Sequence, residues 1–120
     1  MYAFAQRKDT LVYDEPLYAH YLANSDAYKY HPGAEETLNS QDKNGQQIID
    51  TILLADSDSP VLFFKNMANH LVKLDWGFLQ HLTNIILIRD PRDMLLSYSK
   101  KIEEFTIEDT GYPQLQAICN

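Results

Sequence analysis

Short unbroken apolar runs centre on Leu11–Tyr13, Val61–Phe64 and Ile85–Ile88. Between them lie longer stretches in which apolar positions recur every three or four residues. Short continuous runs bounded by turn residues predict strands, and runs apolar at every position predict strands buried on both faces. TLVY (10–13), VLFFKN (61–66) and NIILIR (84–89) are therefore read as strands.

Helical spacing fills the intervals. Residues 1–7 read as the tail of a helix, and LYAHYLANS (17–25) as a short helix or ordered loop. HPGAEETL (31–38) holds a Pro-Gly turn, then a helix start in which Glu35 and Glu36 suit the helix dipole. Gly45 splits off QQIIDTILLA (46–55), which has helical length and an apolar face, and DSDSP (56–60) is a loop. His70 to Leu82 carries Leu71, Leu74, Phe78, Leu79 and Leu82 at helical spacing. PRDMLLSYSKKIEEF (91–105) carries Pro91, Leu95, Tyr98, Ile102 and Phe105 on one stripe. TIED (106–109) has the form of a capping box, and a last helix begins near Pro113.

Alternating helices and strands predict an α/β domain with a mainly parallel sheet. Sites in such sheets lie at the carboxyl ends of strands. The informative points are then Asp14-Glu15, Lys65-Asn66 and Arg89 to Asp93. The chain opens on a helix with no strand before it and stops inside another, so residues 1–120 read as a single partial domain.

Composition narrows the reading only a little. Hydrophobic residues make up 45% and charged residues 22%, as in an ordinary globular protein. A net charge of -7 argues against a nucleic-acid or anionic membrane surface, though not against a local basic pocket. The apolar runs are too short to span a bilayer. Cys119 is the single cysteine, which suits a reducing, cytoplasmic compartment and leaves no thiol set for a metal.

The corner at residues 89–93 is the densest in chemistry. Asp90 is a good N-cap, Pro91 suits the first helical position, and Asp93 suits the first turn. Capping does not account for Arg89. A strand-end guanidinium beside a helix start makes a phosphate or sulfate site, and Ser97 lies two turns into the helix with a hydroxyl to offer. The spacing is equally compatible with Arg89 paired to a carboxylate and Ser97 solvated.

IRDPRDMLLSYSK (88–100) resembles the 3′-phosphate-binding motif of the sulfotransferases. MYAFAQRKDTLVYDEPLYAHYL (1–22) and VLFFKNMANHL (61–71) resemble a bacterial sulfotransferase-like P-loop family and the related region of plant branched-chain aminotransferase-like proteins. The resemblance implies a three-layer P-loop NTPase-like fold. It also implies PAPS (3′-phosphoadenosine 5′-phosphosulfate) as co-substrate, a small-molecule hydroxyl or amine acceptor, and Arg89 and Ser97 as 3′-phosphate ligands. It makes Glu15 the first candidate for the catalytic base, the alternative being that Asp14 or Glu15 caps the next turn. Lys65 is the second catalytic candidate. It stands where cytosolic sulfotransferases have Lys-x-His, but the third position here is Met67. His70 is expected to start a helix, and His20 and His31 to be structural.

The family's phosphosulfate-binding loop has no counterpart in the sequence, where none of the four glycines opens a Gly-rich turn. Residues 1–120 are thus expected to be inactive alone. They are also expected to self-associate through exposed sheet edges. The rival reading is a non-catalytic nucleotide-binding or interaction remnant of such a domain, beside an aminotransferase. A small-molecule P-loop kinase is weaker, for want of a Gly-Lys-Ser/Thr signature.

Overall fold

Two of the three apolar runs pair. The computed structural model describes residues 1–120. In it β1 (Thr10–Asp14) and β2 (Val61–Lys65) form a parallel two-stranded sheet. The register runs from Thr10 opposite Val61 to Asp14 opposite Lys65. Main-chain bonds prolong the ladder at both ends, Val61 N to Asp9 O at 3.0 Å and Glu15 N to Lys65 O at 2.7 Å. Aromatic pairs clamp it: Phe4, from the single turn α1 (Tyr2–Ala5), stacks on Phe63 at 4.1 Å, and Tyr13 stacks on Phe64 at 5.3 Å.

Short helices surround the pair: α2 (Tyr18–Asn24), α3 (Ala34–Ser40), α4 (Gly45–Ile48), α5 (Pro91–Ser99) and α6 (Tyr112–Cys119). A π turn, Ile49–Leu53, prolongs α4. The main core gathers Leu17, Ile48, Ile49, Leu53, Leu71 and Phe78. A smaller core joins Tyr21, Leu22, Ala27 and Ala34. Each large buried side chain contributes roughly 1.5–3 kcal/mol by leaving water. Only 18 of 120 residues are buried, and the radius of gyration is 14.9 Å. About 13.6 Å is usual for this length, so the core is thin.

Three expectations are corrected. NIILIR is not a buried strand: residues 83–90 form no ladder, and Ile85, Leu87 and Ile88 are 79%, 84% and 77% exposed. An apolar run becomes a strand only when another strand accepts its hydrogen bonds. Here β1 and β2 pair with each other alone. His70 to Leu82 is not one helix but two 3₁₀ turns, Ala68–Leu71 and Trp76–His81. Lys73 at φ 54° and Asp75, which caps Gly77 N at 2.7 Å, break the α-helical path between them. The helix from Pro91 ends at Ser99 rather than Phe105, its last turn closed by Ser99 Oγ donating to Leu96 O. Ile102 from the predicted stripe is nonetheless buried.

Candidate functional site

The parallel register carries the chain ends of β1 and β2 to one edge, and there two of the sequence candidates meet. Lys65 Nζ lies 2.7 Å from Glu15 Oε1 and 3.2 Å from Asp14 Oδ1. Burial works against the ammonium charge, but the two carboxylates outweigh burial and hold Lys65 above the usual lysine range. The Glu15 backbone sits at φ 51°, in the left-handed region that non-glycine residues seldom adopt. Its N–H donates to Lys65 O, and its carbonyl accepts from Tyr18 N at 3.0 Å. This turn aims the carboxylate back at Lys65 instead of continuing the strand.

The Arg89 corner is built as a helix start. Asp90 Oδ1 accepts from Arg92 N at 2.8 Å, and Pro91 opens α5. Arg89 lies just before the cap and Ser97 within α5, both exposed, with no side-chain hydrogen bond or ion pair inside the chain. Asp90 takes the Arg92 N–H, so that donor of the helix start is already used. No hydrogen bond or ion pair joins this corner to the Glu15–Lys65 pair.

Between the sheet edge and the C-terminal segment lies a cluster that sequence patterns did not disclose. His70 packs between Tyr18 and Tyr21, with ring centroids at 5.4 and 5.2 Å, and Tyr18 Oη and His31 Nδ1 share a hydrogen bond of 3.1 Å. Burial, with smaller contributions from His31, Lys65 and His20, drives the His70 pKa down to about 3, so its ring is neutral at physiological pH. Burial also lowers His31, against the opposing pull of Asp109 and Glu15. Tyr21 Oη, His31 Nε2, Asn69 Oδ1 and His70 Nδ1 are all buried without a hydrogen-bond partner in the chain.

Asp109 ties this cluster to the end of the chain. Its carboxylate accepts from Tyr30 Oη at 2.8 Å and from Thr106 N at 2.8 Å, completing half of the expected box at TIED. Its carbonyl accepts from Asn69 Nδ2 at 3.1 Å and Tyr98 Oη at 3.3 Å. The aromatic crowding between Tyr2 and Tyr30 was a visible signal, but the partners at 69, 70, 98 and 109 are too distant in sequence to be inferred from it.

His20 has the structural role expected of it. Nε2 lies 2.8 Å from Val72 O and so must donate, leaving Nδ1 to accept from Gly45 N at 3.2 Å. No set of three His, Cys, Asp or Glu side chains is placed to hold a metal ion. A shallow apolar depression of about 440 Å³ lined by Leu53, Leu54, Ala55, His81 and Leu82 includes none of the candidate residues. No helix is long and apolar enough to cross a membrane.

Comparison with known proteins agrees with the motif reading. The chain is 30% identical over 119 residues to branched-chain-amino-acid aminotransferase-like protein 2 of Arabidopsis thaliana, covering 98% of this chain and 21% of that protein. It is 32% identical over 101 residues to aminotransferase-like protein 1 of the same plant, covering 83% of this chain and 18% of that protein. It thus spans about a fifth of the length of these curated relatives. No solved structure matches. A family model described as a sulfotransferase domain matches residues 1–119, and the chain belongs to that family.

Proposed function

We propose that this chain supplies part of a PAPS-dependent sulfuryl-transfer site, in a domain of P-loop type that acts on a small-molecule hydroxyl or amine. The observation that carries the reading is the Glu15–Lys65 pair. A sulfotransferase-family chain places a carboxylate and a cation 2.7 Å apart at the carboxyl edge of a parallel sheet.

The residues fit one end of the co-substrate. Arg89 and Ser97, both exposed and without partners of their own, suit the 3′-phosphate. The sequence offers no Gly-rich turn for the phosphosulfate end, so transfer is assigned to a protein that supplies one. PAPS, when bound, supplies the sulfuryl group and leaves as 3′-phosphoadenosine 5′-phosphate. Glu15 takes the proton of the acceptor as its oxygen or nitrogen bonds to sulfur. Lys65 stabilises the negative charge that grows on the bridging oxygen as the sulfur–oxygen bond breaks. A single cysteine suits a reducing, cytoplasmic setting for such a domain.

A second reading is a non-catalytic nucleotide-binding module. It is favoured by the lack of a Gly-rich phosphosulfate loop in the sequence and by relatives that are named for likeness to an aminotransferase.

Thermal melts with 3′-phosphoadenosine 5′-phosphate, with AMP as control, test the site common to both readings. At about a hundred times its Kd the ligand adds roughly 2.7 kcal/mol. Stabilisation by the 3′-phosphorylated nucleotide alone, lost in Arg89→Ala with the fold intact, supports the assignment. Equal response to AMP, or an unaffected Arg89→Ala, sinks it. Transfer assays on a protein holding the complete domain then separate the readings: Glu15→Gln lowers turnover about 10²–10⁴-fold under the first, and no turnover exists to lose under the second.

A further inference from the structure

No hydrogen bond joins the Glu15–Lys65 pair to the Arg89 corner directly, yet one short segment, Thr106–Tyr112, touches the surroundings of both. Its centre is Asp109. The Asp109 carbonyl accepts two bonds at once, from Asn69 Nδ2 at 3.1 Å and from Tyr98 Oη at 3.3 Å. Asn69 stands in the 3₁₀ turn that follows β2, a few residues beyond Lys65. Tyr98 is the neighbour of Ser97 on α5. One oxygen with two lone pairs thus ties the Lys65 side to the Ser97 side. The Asp109 carboxylate fixes that oxygen in place. Oδ1 accepts from Tyr30 Oη at 2.8 Å, and Oδ2 accepts from Thr106 N at 2.8 Å and from Thr106 Oγ1 at 3.1 Å. Further along the segment, Tyr112 Oη reaches Arg89 O at 3.5 Å.

The corner needs such a tie. No main-chain N–H or C=O of Ile85–Ile88 takes part in a backbone hydrogen bond, so the backbone leading to Arg89 is not held in register with β1 or β2. The segment itself is seated on the turn after β2: Thr110 is buried, and a Cβ at Gly111 would meet Asn69 N at 3.5 Å. We propose that Thr106–Tyr112 is the bridge that sets the spacing between Glu15–Lys65 and Arg89–Ser97, with Asp109 as its positioning residue. The inference rests on the reading of these two pairs as parts of one sulfuryl-transfer site. PAPS carries its 3′-phosphate and its sulfuryl group at opposite ends, so the phosphate holders and the reacting edge must keep a fixed separation for the sulfur to meet its acceptor. Asp109 touches no substrate in this scheme and acts through Asn69 and Tyr98.

Spin-label distances on a Cys119→Ser background of this chain read the spacing directly. Labels at Asn66→Cys and Leu96→Cys, both exposed positions, report across the bridge. Labels at Lys43→Cys and Asn66→Cys report on the sheet side alone. The expected result is one narrow distribution across the bridge, broadened in Asp109→Ala and in Tyr98→Phe, with the Lys43–Asn66 distribution unchanged. Tyr98→Phe keeps the ring that packs edge-on against Phe105 at 4.8 Å, so it removes the bond and not the fold. A broad distribution in the parent chain, an unbroadened one in either variant, or equal broadening of the Lys43–Asn66 pair overturns the bridge. Catalysis is read separately, in a protein holding the complete domain. There Tyr98→Phe lowers kcat roughly 10- to 100-fold, as a misplacement of about 1 Å does, while the Kd of 3′-phosphoadenosine 5′-phosphate stays level. An unchanged kcat beside a broadened distribution overturns the positioning role. A parent protein that binds the nucleotide and transfers nothing defeats the sulfuryl-transfer reading instead, and the labels still decide the bridge.

Discussion

Lys65 Nζ reaches Glu15 Oε1 at 2.7 Å across 50 positions of sequence, and the contact exists because β1 and β2 end in register. With 43% and 27% of the two side chains exposed, the pair is worth no more than about 1 kcal/mol to stability. Under the proposed function its significance is chemical. Glu15→Gln and Lys65→Ala are expected to shift the melt of this chain by a few degrees at most. In a protein holding the complete domain, Glu15→Gln lowers sulfuryl transfer about 10²–10⁴-fold, as loss of a positioned base does. Melts and turnover measured together check this; a large stability loss with little change in turnover would make the pair a structural clamp.

His70 predicts an acid-sensitive fold. Its pKa is about 3 in the folded chain, below an unfolded value near 6.5, chiefly through burial. The unfolded chain binds more protons at low pH. The stability tied to the neutral ring is thus complete above pH 6.5 and is lost as pH falls toward 3, by on the order of a few kcal/mol. Urea unfolding between pH 7 and pH 4 measures the slope. His70→Phe, which keeps a ring between Tyr18 and Tyr21, is expected to flatten it.

Gly45 is expected to resist even the smallest side chain. A Cβ there would lie 2.7 Å from Cγ and Nδ1 of His20, whose ring is held by Val72 O on its other side. Gly45→Ala therefore costs roughly 1–3 kcal/mol as an overpacking change, although alanine is the better helix former. A denaturant midpoint raised by Gly45→Ala would refute the packing account.

Tyr21 offers a change of opposite sign. Its hydroxyl is buried with no well-formed hydrogen bond, Asn69 and Ser25 being its polar neighbours, while its ring fills the second core beside His70. Tyr21→Phe keeps the ring and removes an unsatisfied donor, so stability stays level or rises by about 1 kcal/mol. A loss larger than 1 kcal/mol in the same denaturant assay would mean that the hydroxyl has a partner after all.

Local rules carried the sequence reading as far as local rules reach. TLVY and VLFF are strands because each is a short apolar run between turn residues, and Asp90-Pro91 starts a helix because a cap and a preset φ suffice. Asp14, Glu15 and Lys65 could be placed at strand ends once the strands were known. IILI obeys the same local rule and fails for a non-local reason, since no third strand lies alongside it. The break in residues 70–82 turns on one left-handed lysine and one capping aspartate, which periodicity does not register. The cluster of Tyr18, His31, His70 and Asp109 is assembled from four distant stretches, so only tertiary packing reveals it.

The parallel pairing of β1 with β2 also governs how the chain must fold. Thr10 meets Val61, 51 residues onward, so no hairpin turn nucleates the sheet. The intervening helices form within about a microsecond, but the strands meet only after that long loop has closed and its entropy has been spent. Refolding is accordingly governed by one non-local docking event. Until it occurs Lys65 has no Glu15 to face, and the charged edge comes into being together with the native topology.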